Sequence, residues 1–135
     1  MVQCKMIVSL IVRSVDAILF VRYDAKRDGQ TGWFLPDDLI AEFEHPDAAA
    51  KRVLATRLGV GEANPKLNHI ESFKGRDQSW HLAFHYLTHV ERPEQVKLVG
   101  DLAEMQWFAL GKLPARAEIA HHGWALLVLK RTFGG

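Results

Sequence analysis

The chain of 135 residues is long enough to bury roughly two-thirds of its unfolded surface as one domain, with no need of a covalent staple. Its 48% hydrophobic and 24% charged residues exclude a disordered, collagen-like or membrane-embedded chain. The net charge of +1 gives no field to attract nucleic acid or an anionic membrane, and with Cys4 as the only cysteine neither an intrachain disulfide nor a cysteine zinc cage can form, so a reducing, cytoplasmic setting is expected.

The apolar stretch from Lys5 to Val21 is interrupted by Arg13 and Asp16 and is followed by no small-residue cleavage site, so it reads as strands rather than a membrane span or secretory signal. Its two β-branched runs, from Met6 and from Ala17, predict a hairpin turning at Ser14, Val15 and Asp16. Tyr23 to Thr31 reads as an exposed loop, and Gly32 to Leu35 as a short extended segment ended by Pro36.

Pro46 suits a first helical position, Asp47 the positive end of a helix, and Gly59 its stop. Between them Ala50, Val53, Leu54 and Leu58 form one apolar stripe, leaving Lys51, Arg52 and Ala55 toward the rim; His45 is a weak capping residue. A loop holds Gly61, Asn64 and Pro65. Strict alternation from Trp80 to Val90 predicts a strand with one face on the core, followed by a short strand over Met105 to Ala109. Ala115 to Arg131 reads as a C-terminal helix that tolerates Gly123 at about 1 kcal/mol.

His81, His85 and His89 recur every fourth residue, but on a strand four residues span about 13 Å, too far for one metal. The expectation is a His-rich polar or cleft-lining face. The adjacent His121 and His122 would diverge on a helix, so one of them at most reaches a cleft. Arg13, Arg22, Lys26 and Arg27 form a modest basic patch, expected to be solvated.

The segment from Gly32 to Val60 resembles a Nudix box, in which a glycine, five residues, a glutamate, seven residues and Arg-Glu precede an aliphatic, a paired Glu-Glu, a glycine and a final aliphatic. Glu44, Arg52, Leu54, Gly59 and Val60 stand at matching positions without a gap, and Trp33 and Pro36 lead into them as in the family. The stretch from Asp101 to Phe108, followed by Leu113 and Pro114, also resembles the family's late strand and turn. The departures concern chemistry: Asp38 replaces the box glycine, and Val53, Thr56 and Arg57 replace the carboxylates that hold divalent metal in active members.

Patterning alone supports a single α/β or α+β domain; the resemblance implies a Nudix-like α/β/α sandwich with a mixed β-sheet over residues 1–135. It also implies a site that has lost its metal, with Glu44 and Arg52 retained as a structural ion pair. Arg57, His81 and His85 are the candidate contacts for a nucleotide-like or other phosphorylated ligand. Mg²⁺ is expected only if Asp37, Asp38, Glu42 or Asp47 rebuild the cage, because valine, threonine and arginine supply no anionic oxygen. One alternative is an active hydrolase of nucleoside diphosphate-linked compounds with an altered box, as in the GDP-mannose hydrolases, with His121 or His122 as base. A scaffold or homodimerisation domain is a further alternative.

Overall fold

The computed structural model describes residues 3–27 and 29–134. The hairpin forms as β1 (Cys4–Ser14) and β2 (Ala17–Tyr23), turning through Val15 and Asp16. Helix α1 (Pro46–Leu58) takes the expected bounds: His45 Nδ1 accepts from Asp47 N at 3.0 Å, so this histidine does cap. At the other end Gly59, at φ 66, adopts the left-handed geometry that a helix stop favours. Ala50, Val53, Leu54 and Leu58 are buried, with Ala49 added to the stripe.

The strands build one mixed six-stranded sheet in the order β4-β5-β1-β2-β6, with β3 attached to β1. Here β3 is Asp37–Leu39, β4 is Lys66–Lys74, β5 is Trp80–His89 and β6 is Leu102–Ala109. Only β1 and β5 pair in parallel; the other neighbours are antiparallel. Val8, Leu10, Val12 and Tyr86 meet α1 on one face, while Ile11, Ile18 and Phe20 meet Ala125, Val128 and Leu129 of the C-terminal helix on the other. Period two thus divides each central strand between two cores.

Three sequence expectations need correction, and a fourth element, β4, is one the sequence patterning did not announce. Gly32 to Leu35 makes isolated bridges, from Phe34 to Val21 and from Trp33 to Ile119, and the strand begins after Pro36 rather than ending at it. Pro36 keeps its carbonyl, which accepts from Leu10 N at 2.8 Å, so a proline leads into β3 without losing that bond. Strand β4 carried no clean alternation because it is an edge: Leu67 and Ile70 are exposed while His69, Glu71 and Phe73 are half-buried. Strand β5 has both faces covered over its middle, where Ala83, His85 and Tyr86 are all buried.

The third correction concerns the C-terminal segment, which is not one helix. Residues Arg116–Glu118 form a 3-10 turn, and within α2 (Ala120–Phe133) His121, His122 and Gly123 all take left-handed geometry, at φ 56, 57 and 82, so regular helix starts at Trp124. Gly123 is therefore a turn residue, not a weak point inside a helix.

This turn is held by a two-residue ladder, with Trp33 N donating to Glu118 O and Ala120 N to Trp33 O, both at 2.9 Å. Gly32 makes that approach feasible: a Cβ there would lie 2.7 Å from Glu118 O, at φ 105. Gly32→Ala is expected to destabilise the fold by about 2 kcal/mol in denaturant melts, combining backbone strain with a main-chain clash.

Candidate functional site

The loop between β3 and α1 is tied to the helix by Arg52. Its Nε donates to Glu44 Oε2 at 2.8 Å, its Nη2 to Glu44 Oε1 and to Leu39 O at 3.0 and 2.9 Å, and its Nη1 to Asp38 Oδ2 at 2.9 Å. Glu44 Oε1 also accepts from Ala41 N at 3.0 Å. A planar guanidinium fork suits this arrangement, which a lysine could not reproduce. The same contacts hold the Arg52 guanidinium more firmly protonated than usual and pull the Glu44 carboxyl below its ordinary range.

One turn along α1, Arg57 points to the same carboxylate. Its Nη2 lies 3.1 Å from Asp38 Oδ2, its Nη1 pairs with Asp101, and its guanidinium carbon lies 5.6 Å from the Tyr23 ring centroid. Burial opposes ionisation of Asp38, but hydrogen bonds from Arg52 and Arg57 outweigh it and lower its pKa. The aspartate at the box-glycine position needs no left-handed backbone, because it sits in β3 opposite Val8.

A third arginine completes the network. Arg27 Nε is 3.1 Å from Asp37 Oδ1, its Nη2 is 3.3 Å from Asp38 Oδ1, and its Nη1 is 3.6 Å from Asp101 Oδ2. Tyr23 donates its hydroxyl to Asp37 Oδ1 at 2.7 Å and stacks beneath the Arg27 guanidinium at 4.2 Å. Burial raises the Asp37 pKa despite Arg27, and burial with the nearby Asp37 charge keeps Tyr23 protonated. Arg27 is thus no part of a solvated basic patch; Arg22 and Arg13 are also drawn off, over the rings of Trp33 and Phe133. Sequence reasoning missed Tyr23, Arg27 and Asp101 as members, since they converge from two segments on either side of the box and distant from each other in the chain.

The positions that resembled metal ligands are differently occupied. Val53 is fully buried under the sheet, and Thr56 Oγ1 donates back to Arg52 O at 2.7 Å. Among the described residues, no group of three or more His, Cys, Asp or Glu is arranged to hold a metal ion. Of the carboxylates considered as replacements, Asp37 and Asp38 are taken up by arginines, Asp47 accepts from the Tyr86 hydroxyl, and Glu42 is exposed.

A family model described as the NUDIX domain matches residues 5–127. The chain belongs to the Nudix family. Its fold is similar to that of a MutT NUDIX hydrolase from Burkholderia pseudomallei, at 19% identity and a TM-score of 0.78 over 97% of this chain and 98% of that one. A MutT protein from Methanosarcina mazei Go1 aligns at 18% identity and a TM-score of 0.68, over 87% and 88% of the two chains. A bifunctional NMN adenylyltransferase/ADP ribose pyrophosphatase from Francisella tularensis, complexed with AMP and a Mn ion, aligns at 15% identity and 0.69 over 100% of this chain but 43% of its own. Comparison with curated proteins gives no match. Among the described residues no helix is long and apolar enough to cross a membrane.

His69 and the β5 histidines lie away from the arginine network, on the α2 side of the sheet. His85 is fully buried, stacked on His69 at 5.9 Å and bonded through Nε2 to Glu71 Oε1 at 2.7 Å. His81 is buried against Phe73 at 5.2 Å, and His89 is exposed. The structure therefore brings Glu44, Arg52 and Arg57 together but sets His81 and His85 on the opposite face, and the His-rich face is packed under α2 rather than lining an open cleft. His121 lines a water-sized cavity of about 10 Å³ with Ser9, Asp37 and Trp124.

Arg52→Ala is expected to lower stability by about 1–2 kcal/mol, since its guanidinium is one-third exposed and part of the ionic gain is screened. Glu44→Gln is milder, because an amide oxygen still accepts from the fork. The pH dependence follows. The lowered pKa values of Asp38 and Glu44 give stability that is present above their ordinary 3.8 and 4.5 and is lost as the pH falls through the folded values. Asp37, raised by burial, acts oppositely: its penalty exists while it is ionised and is relieved on acidification. Chemical denaturation between pH 6 and 3 should accordingly show a shallower acid loss in Arg52→Ala than in the parent.

Proposed function

We infer that this Nudix chain binds a nucleotide-like or other phosphorylated ligand and catalyses little or no pyrophosphohydrolysis. The observation that carries the reading is Arg57, held between Asp38 and Asp101 at a box position where the family resemblance implies a metal-ligating carboxylate. A divalent cation needs several converging anionic oxygens, and three guanidinium groups over the same carboxylates oppose its approach. The residues at the box helix therefore do not fit Mg²⁺, and no step of the proposed activity passes through it.

The same cations suit a phosphate. Arg27 and Arg57 both reach Asp101, whose side chain is 54% exposed while theirs are largely covered. Asp101 is the carboxylate most easily rehydrated, and its departure would present two guanidinium forks to a diphosphate with charge-assisted bonds. The anion takes the place of the Asp101 carboxylate on the two forks.

The test is calorimetric titration with ADP in the presence of EDTA, alongside phosphate-release assays on nucleoside diphosphate sugars, dinucleotides and nucleoside triphosphates with Mg²⁺ or Mn²⁺. The expected result is metal-independent binding that tightens about tenfold in Asp101→Asn, with no appreciable turnover. Ordinary metal-dependent turnover by the unmodified chain would overturn the reading. It would favour the second one, an active hydrolase of diphosphate-linked compounds, for which the specific support is His121: three successive left-handed residues set its ring against Phe34 and Trp124 beside Asp37. Under that reading His121→Ala should abolish turnover.

A further inference from the structure

A second polar cluster lies on the α2 side of the sheet and is independent of the arginine network. Between edge strand β4 and α2 runs an open groove of about 420 Å³, within the range of small-molecule sites. Its apolar wall is made by Trp124, Leu127 and Val128, and Leu127 is 66% exposed with nothing packed over it among the described residues.

The carboxylate in this groove is held ready. Glu71 Oε1 accepts two bonds, from His85 Nε2 at 2.7 Å and Trp124 Nε1 at 3.1 Å, whereas Oε2 has no partner among the described residues. His85 is fully buried, so the carboxylate is oriented from beneath, and its contact lowers the Glu71 pKa. Glu71 lines the groove and keeps its second carboxylate oxygen outside these bonds. Two residues along the same face of β4, His69 Nε2 accepts from Arg131 Nη1 of α2 at 2.7 Å. Lys130 lines the same rim.

Anion acceptor and cation donor are thus neighbours on one rim: His69 and Glu71 leave the same face of β4 two residues apart, Arg131 bonds the first, and its charge acts on the second. A ligand that bridges them carries an ammonium for the carboxylate and a carboxylate for the guanidinium on neighbouring atoms. We propose that the groove between β4 and α2 binds a free α-amino acid with an apolar side chain, its ammonium on Glu71, its carboxylate on Arg131 and Lys130, and its side chain on Trp124 and Leu127. One negative and two positive side chains accommodate a zwitterion, and the apolar wall rewards an aromatic or branched side chain over a polar one.

Calorimetric titration of the full chain with L-phenylalanine tests this, with 2-phenylethylamine and 3-phenylpropionate as analogues lacking one charged group each. L-Phenylalanine should bind at millimolar concentration or below, and each analogue about tenfold more weakly. Glu71→Gln and Arg131→Gln should each weaken phenylalanine about tenfold; the first keeps an acceptor for His85 and the second lies on an exposed helix position, and thermal melts verify that both fold. Asp101→Asn should bind phenylalanine as the parent does, which separates this site from the phosphate site. Absence of phenylalanine binding to the folded parent, equal binding of either analogue, unchanged affinity in Arg131→Gln, or displacement of phenylalanine by ADP would each overturn the proposal.

Discussion

The Asp38 carboxylate is the point on which the box region depends. One oxygen, Oδ2, takes guanidinium contacts from both Arg52 and Arg57, and the other takes Arg27 at 3.3 Å. Three cations from β2's trailing loop and from two turns of α1 therefore converge on one strand residue. A glycine at this position would leave them with the remaining carboxylates and no centre. The Asp38 carboxylate and the Arg57 guanidinium support each other: the arginine helps to hold the aspartate ionised, and the aspartate holds the arginine in place.

The second organising contact joins residues 32–34 to residues 118–120. It brings the lead-in to β3 against the start of α2, so that Asp37 from one side and His121 from the other share a water-sized cavity. The left-handed turn at His121, His122 and Gly123 is tolerated because it is tied down on both flanks: His121 N donates to Gln30 Oε1 at 3.1 Å and Arg116 Nε to His122 O at 2.9 Å. Asp37 thus joins this cavity to the arginine network, whereas the β4 groove shares no residue with that network, and Trp124 lines both spaces.

Much of this was legible in the residues because it is local. The hairpin, α1 with its stop at Gly59, and β5 all follow from periodicity and turn chemistry that act over a few neighbours. The box register placed Glu44 beside Arg52 by the same kind of short-range logic. Strand β4 was not legible, since an edge strand half-covered by α2 mixes Leu67, Ile70, His69 and Glu71 without a clean period. The break in the C-terminal segment was hidden because the ladder that flanks it joins Trp33 to Glu118 and Ala120, residues far apart in the chain.

The sequence by itself determined that this is a Nudix-like α/β chain whose helix α1 carries Val53, Thr56 and Arg57 in a fixed register, because charge and register are properties of the residues in line. Only the tertiary structure decided where those charges go. That Arg57 finds Asp101, that Arg27 and Tyr23 enclose Asp37, and that His85 turns to Glu71 rather than to Arg57 depend on strand order and on which face of the sheet each side chain leaves. Alternation along β5 was readable, but both its faces look alike until α1 covers one and α2 the other.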